Sequence, residues 1–364
     1  MIANFVRFSA RALTGAVLIF SQVPRPAEAS WAKHLDALDS ENLHQNEQEP
    51  ALKELKKAVA LDPGSAAAHQ RLGEAYLKLG SYEMLSEAKA EFVQALAIDP
   101  KLIWSRFYLA RIYLDLGRPQ KAKEQLESAL MIRPNIPHLL SLLGEANRKL
   151  GNIDISMEQN RKALEIDPSF FVAHYYLGLA YLDLKKEEEA IRELETAVKF
   201  SAAAEMCLTL GTVYFRKGDL DRAVELYQKA VAADPAKPEA HLRLAQAYHV
   251  KKLPDLAFEQ LAQAYPEGQR FLNTPYYQQL QVEILFERGL IYQEKGALSL
   301  AAEAYSRVLQ LDLAHGQAHR QLAAVLFQQG EYARALEHAS KAAELKSPIA
   351  PSLLESIRAK LKLQ

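Results

Sequence analysis

Along most of the chain, apolar residues recur at intervals of three and four, the stripe of an amphipathic helix. The helical segments come in pairs. First helices end near a glycine, at Gly80, Gly117, Gly151, Gly218, Gly296 and Gly330, where a left-handed residue closes the helix at least cost. Second helices end on a turn that usually carries Asp-Pro, and proline disfavours helical geometry in the residue before it. A small residue near the start of each second helix serves as a ruler: Ala51, Ala88, Ala122, Ser156, Ala190, Ala223, Ala257, Ala301 and Ala335. The successive spacings are 37, 34, 34, 34, 33, 34, 44 and 34 residues. One helix pair cannot bury its own apolar face, so neighbours must stack. The pattern therefore predicts an all-α array of about nine helix hairpins, from roughly residue 32 to residue 347. A last helix from Pro351, with Leu354, Ile357 and Leu361 on one stripe, is expected to cap it.

The units also share a signature. It reads His69-x2-Leu72-Gly73-x2-Tyr76, then Ala88-x3-Phe92, then Pro100. It returns as His174-x2-Leu177-Gly178-x2-Tyr181, and as Cys207-x2-Leu210-Gly211-x2-Tyr214 with Ala223-x3-Tyr227 and Pro235. This resembles the tetratricopeptide repeat. The first unit is degenerate, the fourth has Asn147 and Asn160 at aromatic positions, and the fifth has Ala202 in place of proline.

The resemblance implies a right-handed superhelical solenoid whose first helices line a concave groove for partner proteins. It implies exposure at the second, fifth, ninth and twelfth positions of each unit. Unit three then contributes Trp104, Phe107, Arg111 and Leu114; unit four His138, Ser141, Glu145 and Arg148. Unit five adds Val172, Tyr175, Leu179 and Leu182; unit six Glu205, Leu208, Thr212 and Phe215. The candidate groove residues are Trp104, Phe107, Arg111, Arg148, Tyr175, Leu179 and Phe215. They suit an extended or helical apolar segment of a partner protein, with the two arginines as polar anchors. The family's clamp for C-terminal carboxylates uses Lys and Asn at the fifth and ninth positions. Gln70/Glu74, Phe107/Arg111 and Ser141/Glu145 stand there instead.

Two regions break the period. The spacing of 44 places a loop at 266–274, Thr274 as helix cap and a long helix from Pro275 to about Lys295. The expected layout is thus units one to seven over 30–265, an irregular insertion and helix start over 266–281, units eight and nine over 282–347, and the cap over 348–364. At the N-terminus, Arg7 and Arg11 precede the apolar run Ala12–Phe20, the helix breakers Pro24 and Pro26, and the small-x-small site Ala27-Glu28-Ala29. This is the layout of a signal peptide cleaved after Ala29, with an uncleaved anchor as the alternative. The expected location is the periplasm or outside the cell, with no membrane span left after cleavage.

Net charge is −1, so no basic field favours nucleic acid. The single cysteine, Cys207, forbids an internal disulfide and a thiolate-rich zinc site. His69, His174, His241 and His319 share one repeat position and are expected to pack between helices. His315 and His319 have metal-pair spacing but no evident third ligand. No nucleophile elbow, phosphate loop or zinc-protease motif occurs. The expectation is no catalysis, no cofactor and no metal. The chain reads as an interaction scaffold or assembly factor of the bacterial cell envelope. A glycan- or wall-binding accessory subunit of a polysaccharide secretion system is the alternative. An enzyme site around 266–280, with Glu267 and Arg270, is a third reading.

Overall fold

The computed structural model describes residues 45–79, 82–265 and 275–362. The signal-like segment, the first helix of unit one and the loop 266–274 lie outside the described residues. Among the described residues there are eighteen α-helices and no strand. Helix α1 (Gln45–Leu61) is the second helix of unit one. Units two to five are the hairpins α2 (Ala66–Leu79) and α3 (Tyr82–Ile98), α4 (Ile103–Asp115) and α5 (Pro119–Ile132), α6 (Pro137–Lys149) and α7 (Ile153–Ile166), α8 (Phe171–Asp183) and α9 (Glu187–Phe200). Units six to nine are α10 (Ala204–Lys217) and α11 (Leu220–Ala233), α12 (Pro238–Val250) and α13 (Pro254–Ala264), α14 (Pro275–Glu294) and α15 (Leu298–Leu311), α16 (Gly316–Gln328) and α17 (Tyr332–Glu344). Helix α18 (Pro351–Lys362) closes the chain.

The chain divides into two compact bodies, one ending at Val213 and the other beginning at Tyr214. In the first, α2 to α9 pack as consecutive hairpins, and the first helices α4, α6 and α8 also touch in sequence. In the second, each helix from α11 to α18 packs on the next, and α12 also touches α14.

The ruler residues explain the close approach. From Ala88 to Ala335 every one of them is fully buried, Ser156 included. Four residues later comes the side chain that fills the hairpin: Phe92, Leu126, Leu194, Tyr227, Leu261 and Tyr305 are all buried. Gly73 faces the first of these, and a Cβ there would meet the Phe92 ring at 2.9 Å. The turns after first helices use a left-handed residue, with φ 67° at Gly117 and 83° at Gly151. Lys185 and Lys252 hold the same turn position with φ 60° and 62°, a conformation that costs a side-chain-bearing residue free energy. At the C-terminal end Ile357 is fully buried against α17 and its neighbours, which seals the apolar flank of unit nine.

Unit four departs from the rule. Asn160 occupies the filling position, its amide nitrogen 2.3 Å from where a Cβ on Gly144 would stand. It donates to the Ser156 carbonyl at 2.9 Å, yet its own carbonyl oxygen is buried without a partner. The hydroxyls of Ser141 and Ser156 are likewise buried and unpaired.

A polar staple recurs at the fourth position of the repeat. His174 Nε2 contacts the Pro168 carbonyl at 3.2 Å, and its Nδ1 contacts Glu193 at 2.7 Å. His69 joins the Pro63 carbonyl to Glu91, His241 joins that of Pro235 to Gln260, and His319 joins that of Leu313 to His338. Arg106 does the same between the Pro100 carbonyl and Gln125. These side chains tie their five inter-unit turns to the following second helices. The expected helix-packing role is therefore a specific hydrogen-bonded one. Cys207 holds the same position and is fully buried.

Candidate partner-binding face

Within the first body, α4, α6 and α8 lie side by side and their exposed faces form one row. One end of the row is aromatic. The Trp104 ring meets Phe107 edge-on at 5.5 Å and His138 at 6.0 Å, and His138 lies 4.6 Å from Phe170. Burial holds the His138 pKa below the ordinary imidazole value, with Asp167 opposing, so the ring acts as a neutral aromatic. Trp104 and His138 stay half-buried.

The other end is charged, two helical turns further on. Arg148 clasps Glu145 with two N–H groups, at 2.7 and 3.0 Å, and donates from Nη1 to Asp183 on α8 at 2.6 Å. Lys149 also approaches Glu145, at 3.4 Å. Arg111 differs. It is half-buried, burial lowers its pKa, and Asp115 on the same helix acts in the opposite sense. It has no hydrogen bond and no ion pair at contact distance among the described residues; Tyr108, Asp115 and Tyr176 are its electrostatic neighbours. Asp115 is buried with Oδ1 unpaired, and its pKa is raised to about 7 by burial, against Arg111 and Lys149.

The structure sorts the sequence candidates. Trp104, Arg111 and Leu179 are half-buried on the row. Phe107 and Tyr175 are only 6% and 3% exposed, so the exposure that the resemblance implies for the fifth position does not hold here. Ser141 and Leu208, at the same position, and Glu145, at the ninth, are buried too. The reason is local. Phe107 faces His138 on the next first helix at 6.4 Å between ring centroids, and the Tyr175 hydroxyl meets Thr209 on the next at 3.2 Å. Burial raises the Tyr175 pKa well above the ordinary phenol value, with Glu205 adding to it. Arg148 is on the row, but its guanidinium is committed to Glu145 and Asp183. Phe215 belongs to the second body, where it is half-buried.

Sequence reasoning missed the polar seam between α12 and α14 in the second body. His249 contacts Glu287 through Nδ1 and Glu294 through Nε2, the latter at 3.2 Å. Lys252 reaches Glu294 at 3.1 Å, and Arg243 reaches Glu283 at 3.3 Å. The hydrogen bond to Glu287 raises the His249 pKa although burial opposes it. No group of three or more metal-ligating side chains is placed to hold an ion among the described residues.

Sequence models of the tetratricopeptide repeat match residues 83–146, 137–170, 161–192 and 284–351, and the related TPR repeat model matches 43–80 and 211–251. The chain is a tetratricopeptide repeat protein. Two curated relatives show how broadly this repeat is used. The bovine (Bos taurus) BBSome complex member BBS4 is 24% identical over 192 residues, covering 53% of this chain and 35% of that protein. The antiviral innate immune response effector IFIT1 of Macaca fascicularis is 24% identical over 259 residues, covering 60% of this chain and 54% of that protein. The chain thus spans about a third to a half of the length of these relatives. Among solved structures, the APC/C hetero-tetramer Cut9–Hcn1 superposes with a TM-score of 0.63 at 16% identity, over 97% of this chain and 67% of that one. At such identity the likeness is one of fold. Among the described residues, no helix of this tetratricopeptide repeat protein is long and apolar enough to cross a membrane.

Proposed function

We infer that the protein is a non-catalytic interaction scaffold or assembly factor of the bacterial cell envelope. It binds segments of exported partner proteins along the first-helix row of α4, α6 and α8. The observation that carries this reading is the pairing, on one row, of a half-buried aromatic end at Trp104 and His138 with a charged end at Arg111. Aromatic and arginine side chains that keep part of their surface beside buried neighbours are what protein interfaces use as anchors. The envelope assignment rests on the signal-like residues 1–29.

A photo-crosslinking amino acid at Leu179 tests the face, with one at the exposed Glu158 of α7 as control. Partner adducts are expected from position 179 and not from 158. Trp104→Ala is expected to weaken partner affinity about tenfold, the effect of losing one interface anchor. Equal labelling from both positions, or an unchanged affinity in Trp104→Ala, overturns the assignment of the face. Deleting residues 1–29 tests the location: normal export of that variant removes the envelope from the reading.

A further inference from the structure

The state of Arg111 is unusual within this fold. The other arginine on the row, Arg148, is saturated by two carboxylates. Arg71 and Arg243, on other first helices, and Arg106, on α4 itself, also hold protein acceptors. Arg111 is half-buried, has Tyr108 and Tyr176 as electrostatic neighbours, and has none among the described residues. The nearest acid, Asp115, does not close on it, and Asp115 Oδ1 stays unpaired. A half-buried guanidinium with no protein acceptor leaves its planar fork of donors open toward the row. An acceptor of matching shape can close on that fork, and a carboxylate does so with two parallel bonds.

We propose that Arg111 is the docking point for an acidic side chain, Asp or Glu, of a partner segment whose apolar anchor rests against Trp104 and His138. This proposal rests on the row being the partner face. The geometry also fixes a spacing. Trp104 and Arg111 are seven residues apart on α4, about 10 Å along a helix axis at 1.5 Å per residue. An extended segment covers that distance in about three residues at roughly 3.3 Å each. The segment therefore reads as a large apolar or aromatic residue with an acid three positions away, in either chain direction. Phosphate-bearing or free C-terminal segments are not needed, since an internal carboxylate suffices for the fork.

Selection of random twelve-residue peptides displayed on phage, against the full-length protein, tests this directly, because no displayed peptide offers a free C-terminus. Wild type is expected to enrich peptides with an aromatic or large aliphatic residue and an acid three positions from it. Arg111→Gln is expected to keep the apolar enrichment and lose the acidic one. Synthetic versions of a selected peptide, amidated at the C-terminus, should bind wild type at least tenfold tighter with Glu than with Gln at the acidic position. That ratio should collapse toward one in Arg111→Gln. Arg111→Lys, which keeps the charge without the fork, should retain only part of it. Folding of each variant is checked by circular dichroism. Should Arg111→Gln unfold, the Glu-to-Gln ratio on wild type and Arg111→Lys decides the matter. Apolar enrichment without an acid, or an acid preference that survives Arg111→Gln, overturns the carboxylate site and leaves the face standing. No enrichment of either kind, or selected peptides whose binding ignores Trp104→Ala, overturns the face itself and the site with it.

Discussion

Asp115 is an acid folded into surroundings that disfavour its charge. Burial raises its pKa to about 7, well above the unfolded value of roughly 4, although Arg111 and Lys149 oppose the shift. Above about pH 4 the unfolded chain releases a proton that the folded chain keeps, so this group subtracts stability as pH rises from 4 toward 7. Asp115→Asn removes the titration while keeping the shape. Denaturant melts should show a clear gain in stability at pH 8 and little change at pH 4. An equal effect at both values is incompatible with a displaced carboxyl. None of this was legible in the sequence. Asp115 ends a first helix, and its burial depends on helices that arrive later in the chain. Arg111, by contrast, was legible as a ninth-position residue. What the sequence could not supply was its lack of an acceptor, because that depends on where Glu145 and Arg148 spend their bonds.

Helices and hairpins were the most legible scale. The long helix expected from Pro275 to about Lys295 is observed as Pro275–Glu294, because proline at the first helical position and a glycine turn at Gly296 mark both ends. Positions were readable where the 34-residue period fixed them, and unreadable where contact distances mattered. The fifth-position residues Phe107 and Tyr175 have the expected address and less than the expected exposure. The staple was half legible. Its four histidines share one position, and their partners stand 19 residues on at Glu193, Gln260 and His338, and 22 at Glu91, where the three-residue extension intervenes. Hairpin four invites an element-scale prediction. Asn160 stands where its counterparts are Leu126 and Leu194, and it leaves a buried carbonyl oxygen unmet. Leu194 already fits against Gly178 in the same geometry. Asn160→Leu should therefore stabilise the protein by about 1–2 kcal/mol, the cost of an unsatisfied buried polar atom. A thermal melt that shifts downward contradicts this.

At the scale of the whole molecule, the two bodies offer different surfaces. The first carries the aromatic and arginine row; the second carries two histidine systems that titrate in opposite directions. The hydrogen bond to Glu287 raises the His249 pKa. Its stabilisation is complete below about pH 6.5, the unfolded imidazole value, and is lost as pH rises through the higher folded value. His338 is the reverse, since burial and then His319 lower its pKa. The facing Nδ1 atoms of His319 and His338, 2.8 Å apart, can share only one hydrogen. Stability from His338 is present above about pH 6.5 and lost as pH falls through the lower folded value. Unfolding of the second body should therefore peak in midpoint near neutral pH. His249→Gln should flatten the alkaline limb and His338→Gln the acid limb, the latter copying the Gln260 that meets His241 two units earlier. A profile unaltered by either variant refutes the assignment.

The staple confines its bonds to one stretch of chain. From the Pro168 carbonyl through His174 to Glu193, all three groups fall inside a single period, and the same holds for Pro235, His241 and Gln260. Duplicating or deleting one full period carries the donor, the acceptor and the turn together, so no hydrogen-bonding group is stranded at the new junction. Array length is then free to change by whole units over evolution. Cross-period ties such as Arg148 to Asp183 mark the junctions where such an edit would leave a charge without its counterpart.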